Sequence, residues 1–264
     1  MALRGWLVLA MALMATPAAG CGVATDCVVG DRTYRIAVPD GAGPFGAILY
    51  LHGYQGSAAA VMGASELRAV ADTLGVALIA PKSADAGWLI RNAPRRALAD
   101  SAIELDGIDA MLADAAERFD IDPGRVLVAG FSGGGMMTWT LACRRADRFI
   151  GFVPIAGTFW APLPKDCDGA PANILHVHGT ADAVVPLAGR PIADTRQGDV
   201  HETLAMFRQA LGAGPPMPVD GPDGLDCEGS LTERGGRLLL CLHGGGHDVR
   251  ASWVAWAWHA FGGD

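Results

Sequence analysis

The stretch LVAGFSGGGMMTW, residues 127–139, constrains the fold more than any other part of the sequence. An apolar run leads into Ser132, and three consecutive glycines then precede a helical pattern. Glycine in a helix costs roughly 1 kcal/mol relative to alanine, so a row of glycines indicates that the backbone must be bare here. The stretch matches G-x-S-x-G between a predicted strand and a predicted helix, the context that this motif requires. The sequence therefore predicts a sharp strand-to-helix turn with Ser132 at its apex.

The glycines around Ser132 have separate explanations. In such a turn the residues two before and two after the serine crowd together, so Gly130 and Gly134 are expected on steric grounds. Gly133 is explained if its backbone N–H faces a developing oxyanion at the helix N-terminus. The alternative, a glycine-rich turn with an incidental serine, is disfavoured by the strand on one flank and the helix on the other.

Size, charge and the N-terminal residues indicate one exported domain. The chain has 264 residues, 51% of them hydrophobic, which suits one large core. Its net charge of −8 comes without basic stripes, which argues against nucleic acid and anionic membranes as partners. Residues 1–20 combine Arg4, an apolar run and the small residues TPAAG, the pattern of a signal peptide. We expect a secreted or periplasmic domain over residues 21–264, with lipidation of Cys21 or a membrane anchor as disfavoured alternatives.

Apolar runs alternate with helical patterns along the chain. The predicted strands are YRIAVP, AILYLH, VALIAPK, RVLVAGF, FVPIAG, ILHVHG and RLLLCLH. Around residues 98–119 an apolar stripe at three- and four-residue spacing predicts an amphipathic helix: Leu105, Ile108, Met111, Leu112, Ala115 and Phe119. This alternation predicts an α/β fold, with a mostly parallel central sheet and helices on both faces. Residues 212–224, rich in proline and glycine, are interpreted as a surface loop.

A serine nucleophile needs a base, and His247 is the strongest candidate. The base in turn needs a group that orients it, and after G-x-S-x-G the expected chain order is serine, acid, histidine. His247 follows three glycines after the last strand and precedes the final helix. His243 ends that strand and is interpreted as structural, while His201 and His259 lie in helical patterns. The sequence therefore predicts His247 as the base.

Asp182 is the predicted acid, on the loop after the penultimate strand and at the same sheet edge as Ser132. Asp199 and Asp248 are the alternatives, but each is expected to cap a helix. His176, His178 and Asp182 could instead be metal ligands, although one strand and one loop supply an incomplete ligand set. We predict no metal and no other cofactor.

A second oxyanion donor is expected on the loop after an earlier strand. The stretch LYLHGYQGSAA supplies a strand followed by such a loop. The N–H of Tyr54 is the favoured donor, and that of Gln55 stays open as the alternative.

Four motifs together resemble a known group: LHGYQGS, VLVAGFSGGGMMTWTLAC, HGTADAVVPL and GGGHD. They are similar to those of α/β-hydrolase esterases of the polyhydroxybutyrate depolymerase and feruloyl esterase type, over the chain from about Tyr34 onward. The resemblance implies the α/β-hydrolase fold and ester hydrolysis through an acyl-enzyme. It implies the same roles as the residue patterns: Ser132 as nucleophile, Asp182 as acid, His247 as base, and Tyr54 with Gly133 as oxyanion hole.

The expected substrate is a soluble ester. No separate polymer-binding module is expected after His247, and residues 152–182 hold only a short loop, so no large lid is expected. Short-chain, hydroxyalkanoate oligomer or feruloyl-type esters are therefore favoured. Trp160, after FVPIAG, is a candidate substrate contact, whereas Trp88 is assigned to the core. A peptidase or thioesterase of the same fold, or a non-catalytic exported binding domain, remains the alternative, and the oligomeric state is left open.

The six cysteines are an even number, which suits disulfides in an exported protein. The predicted pairs are Cys21–Cys27, Cys143–Cys167 and Cys227–Cys241. For the last pair, a hairpin turning through TERGG would place the two cysteines opposite each other on antiparallel strands.

Overall fold

The computed structural model describes residues 20–94, 100–168, 173–222 and 224–262. The predicted signal peptide, apart from Gly20, lies outside these residues. In the part of the chain that is described, no helix is both long and apolar enough to cross a membrane.

A large sheet is the centre of the fold. The strands found in the described residues are β1 Cys27–Val29, β2 Arg32–Ala37, β3 Phe45–Leu51, β4 Ala77–Pro81, β5 Ile121–Phe131, β6 Gly151–Ile155, β7 Asn173–Gly179, β8 Pro191–Ile192, β9 Thr195–Arg196, β10 Met217–Pro218, β11 Asp226–Leu231 and β12 Arg237–His243. Ten of these described strands form one sheet in the order β1-β2-β4-β3-β5-β6-β7-β12-β11-β10, and β8 pairs with β9. The run from β4 to β12 is parallel. Both edges are antiparallel.

Helices cover both faces of this sheet, as predicted. The described α-helices are α1 Ala58–Gly63, α2 Ser65–Leu74, α3 Ala102–Phe119, α4 Gly133–Arg144, α5 Val200–Ala210 and α6 Ala251–Ala260, with a short 3₁₀ turn at Ala146–Arg148. Buried side chains of α3, α4 and α5 share one hydrophobic cluster. Those of α1, α2 and α6 share a second cluster. Because both faces are packed, the central strands are apolar almost throughout, and the parallel interpretation is confirmed.

The predicted strands and the long helix are present. Each of the seven apolar runs overlaps a strand of the large sheet, and α3 buries Leu105, Ile108, Met111, Leu112 and Ala115. The interpretation of residues 212–224 as a loop was wrong in part, because β10 pairs there with β11. β10 is two exposed residues long and contains Pro218, so no periodicity marks it in the sequence.

Disulfides join all six cysteines in the same three pairs that the sequence suggests: Cys21–Cys27, Cys143–Cys167 and Cys227–Cys241. Cys227 lies directly opposite Cys241 in the antiparallel pair of β11 and β12. The two cysteines of this pair are buried in the cluster under α6.

Candidate active site

Ser132 lies in a strained turn between β5 and α4. Its backbone has φ 56° and ψ −119°, a conformation that non-glycine residues rarely adopt. A Cβ on Gly130 would lie 2.4 Å from the carbonyl oxygen of Gly134, and one on Gly134 would lie 1.9 Å from that of Leu51. Side chains at these two positions are therefore excluded by backbone atoms, which is the steric role that the motif predicts.

The loop after β3 passes directly beside Gly133. We name residues 52–56 the β3 loop. A Cβ on Gly133 would lie 3.1 Å from the backbone nitrogen of Tyr54. Gly133 is the first residue of α4, so its N–H has no acceptor within the helix. The backbone nitrogens of Tyr54 and Gly133 therefore border the same small space beside Ser132.

The structure distinguishes the two donors that the sequence leaves open. The N–H of Gln55 donates to the carbonyl oxygen of Ala86 at 2.9 Å. It is therefore engaged in holding the β3 loop, and Tyr54 is the better candidate donor of the two.

His247 lies on the β12 loop, residues 244–249. Its Nδ1 is 2.7 Å from Asp182 Oδ2, and its ring contacts the ring of Phe131 with centroids 4.7 Å apart. Phe131 immediately precedes Ser132 in the chain. At the end of β7, a Cβ on Gly179 would lie 2.1 Å from the carbonyl oxygen of Gly246, so the β12 loop packs tightly against that strand. The predicted base and acid are thus hydrogen-bonded to each other next to the serine turn.

Asp182 lies on the β7 loop, residues 180–186, with its side chain fully buried. Its Oδ1 accepts the N–H groups of Val184 and Val185, both at 2.8 Å. Its Oδ2 faces His247. Because every oxygen of this buried carboxylate has a partner, the acid is fixed in orientation as well as in position.

Two buried histidines lie behind Asp182. His178 Nε2 is 2.6 Å from the carbonyl oxygen of Val185, which assigns the proton to Nε2, and His178 Nδ1 then accepts from His176 Nε2 at 2.9 Å. Burial lowers the pKa of His178, and it lowers that of His176 well below the usual value. Both imidazoles are therefore neutral at neutral pH. His178 Nε2 also lies 3.5 Å from Asp182 Oδ2.

These contacts give His176 and His178 partners within the protein. Among the residues that the structure describes, no three histidine, cysteine, aspartate or glutamate side chains are grouped to hold a metal ion.

The competing acids and histidines lie elsewhere. Asp199 is the N-cap of α5, accepting the N–H groups of His201 and Glu202, as predicted. The expectation that Asp248 caps α6 was wrong, because that helix begins only at Ala251 and its N-cap position is Arg250. His243 Nδ1 accepts the N–H of Gly245 at 3.1 Å, a structural role.

Trp160 is largely buried, and its backbone pairs with Gln197. With Phe159 it helps to line a cavity of about 890 Å³ between α3, α4 and the segment after β6. Ser132 and His247 are not among the described residues that line this cavity. A substrate contact at Trp160 therefore stays a prediction.

Sequence reasoning missed one feature near the site, a buried ion pair between Arg32 and Glu104. Glu104 lies one helical turn before Ile108 on the apolar stripe of α3, and Gly107 interrupts the same helix. A carboxylate on a buried stripe and a glycine in a helix interior are signals that could have revealed it.

The sheet order, the strained serine turn after β5 and the loops at the carboxyl ends of β3, β7 and β12 define an α/β-hydrolase. Comparisons with known proteins give the same class. A sequence model of the family described as Phospholipase/Carboxylesterase matches residues 100–202. The acetyl xylan esterase from Aspergillus awamori superposes with a TM-score of 0.65 over 91% of this chain and 99% of that chain, at 16% identity.

Sequence relatives define the family. The protein named "Putative esterase NocK" from Nocardia uniformis subsp. tsuyamanensis is 30% identical over 250 residues, which cover 85% of this chain and 73% of that protein. Feruloyl esterase C of Emericella nidulans is 32% identical over 171 residues, 61% of this chain and 58% of that protein. The chain belongs to the carboxylesterase family of the α/β-hydrolase fold, and it is a carboxylic ester hydrolase.

Proposed function

We propose that this carboxylic ester hydrolase is an exported serine esterase that works through an acyl-enzyme. Ser132 is the nucleophile, His247 the base and Asp182 the acid. The observation that carries the proposal is the 2.7 Å contact between His247 Nδ1 and Asp182 Oδ2, formed beside the strained turn of Ser132. We further propose that residues 21–264 form a single catalytic domain after removal of residues 1–20.

In the proposed mechanism, Ser132 Oγ attacks the ester carbonyl carbon while His247 Nε2 takes the hydroxyl proton. Asp182 accepts the Nδ1–H of His247 and stabilises the imidazolium that forms. The backbone N–H groups of Tyr54 and Gly133 donate to the oxyanion of the tetrahedral intermediate. The imidazolium then protonates the leaving alcohol, and a water molecule activated by His247 releases the acid and restores Ser132.

Exposed apolar side chains around the site support a small, soluble ester as substrate. Tyr54 is 68% exposed and Val184 48% exposed, and Val249 lies two residues after His247 with 38% exposed. These three side chains belong to the loops that carry the proposed oxyanion donor, acid and base. Such a rim offers partial apolar contact to a short acyl or aryl group, and little burial for a long alkyl chain.

The favoured substrates are short-chain, hydroxyalkanoate oligomer or feruloyl-type esters. The names of the feruloyl esterase relatives support an aryl acyl group. Tyr54 supplies an exposed ring for such a group, and Trp160 is the second candidate contact.

Export is supported by the three disulfides, because such bonds persist in oxidising compartments. The proposed location is secreted or periplasmic.

A substrate panel tests the proposal. Purified protein is assayed with p-nitrophenyl acetate, butyrate and palmitate, a methyl ferulate, a hydroxybutyrate oligomer, a thioester and a peptide anilide. We expect activity to fall steeply from butyrate to palmitate, and the anilide to be resistant. Ser132→Ala should lose on the order of 10⁴-fold or more in turnover on every ester that the wild type cleaves.

Normal ester hydrolysis by Ser132→Ala would rule out the assigned nucleophile. Fast hydrolysis of palmitate emulsions would instead overturn the substrate class while leaving the nucleophile in place.

A further inference from the structure

Glu104 is a fully buried carboxylate that binds a loop rather than a ligand. Its Oε1 accepts the backbone N–H groups of Ala84 and Leu89, both at 3.0 Å. Its Oε2 is paired with the Arg32 guanidinium, which is also buried. The desolvation of two buried ions can offset their attraction, so the presence of this ion pair in a core calls for an explanation other than stability.

Helix α3 is shaped around this ion pair. Gly107 lies in the interior of α3, where glycine is less favourable than alanine. A Cβ on Gly107 would lie 2.5 Å from Arg32 Nε and 2.8 Å from its Nη2. The absence of a side chain at Gly107 therefore leaves the space that the Arg32 guanidinium occupies between α3 and β2.

The loop that Glu104 binds also contacts the β3 loop. We name residues 83–89 the β4 loop. The N–H of Ser83 donates to His52 Nε2 at 3.3 Å, and the indole Nε1–H of Trp88 donates to the carbonyl oxygen of His52 at 2.8 Å. The rings of His52 and Trp88 are in contact, with centroids 4.8 Å apart. Burial lowers the pKa of His52, which keeps Nε2 available as an acceptor at neutral pH.

Two further contacts lie directly around Tyr54. The N–H of Gln55 donates to the carbonyl oxygen of Ala86. The Tyr54 ring lies against Gly87, because a Cβ built on Gly87 would be 2.9 Å from Tyr54 Cδ2. Gln55 has φ 59°, a conformation that persists only where its surroundings hold it. The β4 loop is thus the support of the strained segment that carries the Tyr54 N–H.

We propose that Glu104 is a positioning residue for the oxyanion hole. Its carboxylate fixes the β4 loop at both ends, and the β4 loop fixes the β3 loop and hence the Tyr54 N–H. This inference rests on the proposed roles of Ser132 and Tyr54. An oxyanion donor stabilises charge only in the transition state, so a displaced donor lowers kcat and leaves KM almost unchanged.

Two double variants separate this role from stability. Arg32→Met/Glu104→Met replaces the ion pair by apolar side chains of similar size, which proteins often tolerate, but removes the acceptor for Ala84 and Leu89. Arg32→Met/Glu104→Gln also removes both charges, but keeps an amide oxygen as acceptor. We expect kcat on p-nitrophenyl butyrate to fall about 10- to 100-fold in the first and to remain within about threefold of wild type in the second.

Affinity for an alkylboronic acid is the second readout, because its tetrahedral serine adduct places an oxygen in the oxyanion hole. It should fall in parallel with kcat in the Glu104→Met double variant. Asp109→Asn is the matched control: it weakens the ion pairs of α3 with Arg145 and Arg148, away from the β4 loop, and should leave kcat unchanged.

The outcomes distinguish the inference from the proposed function. Wild-type kcat in a folded Arg32→Met/Glu104→Met variant, with Ser132→Ala inactive, would overturn the inference alone. Activity in Ser132→Ala would overturn the proposed function. If the methionine double variant does not fold, Trp88→Phe carries the test, since it keeps an aromatic ring but removes the indole N–H that donates to His52, together with part of the ring volume. An unchanged kcat there contradicts the inference, and a loss of kcat at constant KM supports it.

Discussion

The β3 loop and the β7 loop follow strands that lie on opposite sides of β5 in the sheet, and they are held by different electrostatics. The β3 loop is supported from a distance by the buried ion pair of Glu104 and Arg32, through the β4 loop. The Asp182 carboxylate on the β7 loop is held locally by uncharged groups, the amides of Val184 and Val185, with the neutral His178 beside it. A charged group, the guanidinium of Arg190, binds this loop at the carbonyl oxygen of Val184.

The difference follows from the charges that develop next to the β3 loop and the β7 loop in the proposed mechanism. In that mechanism Asp182 faces a histidine that becomes positively charged, so a further cation beside this carboxylate would compete with His247. The β3 loop faces a charge only while the oxyanion exists. The ion pair of Arg32 and Glu104 contacts the β4 loop, which separates it from the reacting atoms. A permanent ion pair can therefore stabilise the β3 loop without disturbing the reaction, whereas the carboxylate of Asp182 itself is fixed by uncharged donors.

The largest expected effect is the loss of turnover on substitution of Asp182, the proposed acid. Asp182→Asn should lower turnover by about 10⁴-fold, because the amide can donate to His247 Nδ1 and favour the wrong imidazole tautomer. Asp199→Asn is the control, since asparagine keeps a side-chain oxygen that can cap α5, and no loss of activity is expected. Equal losses in the two variants would reopen the choice of acid. Steady-state kinetics with p-nitrophenyl butyrate provide the measurement.

On the oxyanion side, Gly133→Ala should lower kcat by about 100-fold with little change in KM. Its Cβ would lie 3.1 Å from the Tyr54 nitrogen and displace one of the two proposed donors. Gly63→Ala is the matched control, because no atom lies within 4 Å of a Cβ built at that position. A Gly133→Ala enzyme as active as Gly63→Ala would place the oxyanion elsewhere.

Substitutions of His178 test the hydrogen bond between its neutral ring and the carbonyl oxygen of Val185 on the β7 loop. Gln can place a donor near the position of Nε2, whereas Asn keeps an acceptor for His176 but cannot reach Val185. We expect His178→Asn to lower kcat about 10-fold and His178→Gln to stay close to wild type. The pH profile of kcat/KM should be altered in the Asn variant, since Asp182 and His247 lose their fixed geometry. Identical behaviour of Asn and Gln would show that only volume matters at this position.

The smallest expected effect is on stability against pH. Burial lowers the pKa of His52, His176 and His178, so below about pH 6.5 the unfolded chain binds protons that the folded chain does not. Their contribution to the free energy of unfolding is fully present above about pH 6.5 and is lost as the pH falls, by at most about 1.4 kcal/mol per pH unit for each residue.

Urea unfolding at several pH values between 5 and 8 measures this slope. His176→Phe keeps a ring against Trp139 and removes one of the three groups, so it should flatten the slope. A slope unchanged in this variant would show that His176 does not titrate differently in the folded and unfolded chains.

Local sequence patterns predicted the parallel strands of the sheet and the strained turn at Ser132. The apolar runs gave the parallel strands because both faces of the sheet are buried, and Gly130 and Gly134 marked the serine turn because only backbone fits there. The choice of Asp182 and His247 followed from their position after β7 and β12. Their hydrogen bond could be expected from the sheet edge that they share, although its geometry could not.

The partner of Glu104 could not be predicted from the sequence. Arg32 and Glu104 are 72 residues apart, and nothing local shows that a charge on β2 meets one on α3. The two-residue strands β8, β9 and β10 have no period long enough to detect. Asp248 was expected to cap α6, but the N-cap position of that helix lies two residues further on, at Arg250.

The most direct test of the account is to find the residue that becomes covalently modified. The protein is treated with a fluorophosphonate probe, which reacts with an activated serine as a stand-in for the ester, and the adduct is located by peptide mass spectrometry. The account predicts one adduct on Ser132, absent in Ser132→Ala and strongly slowed in His247→Gln. An adduct on another residue, or labelling at the wild-type rate in Ser132→Ala, would contradict it.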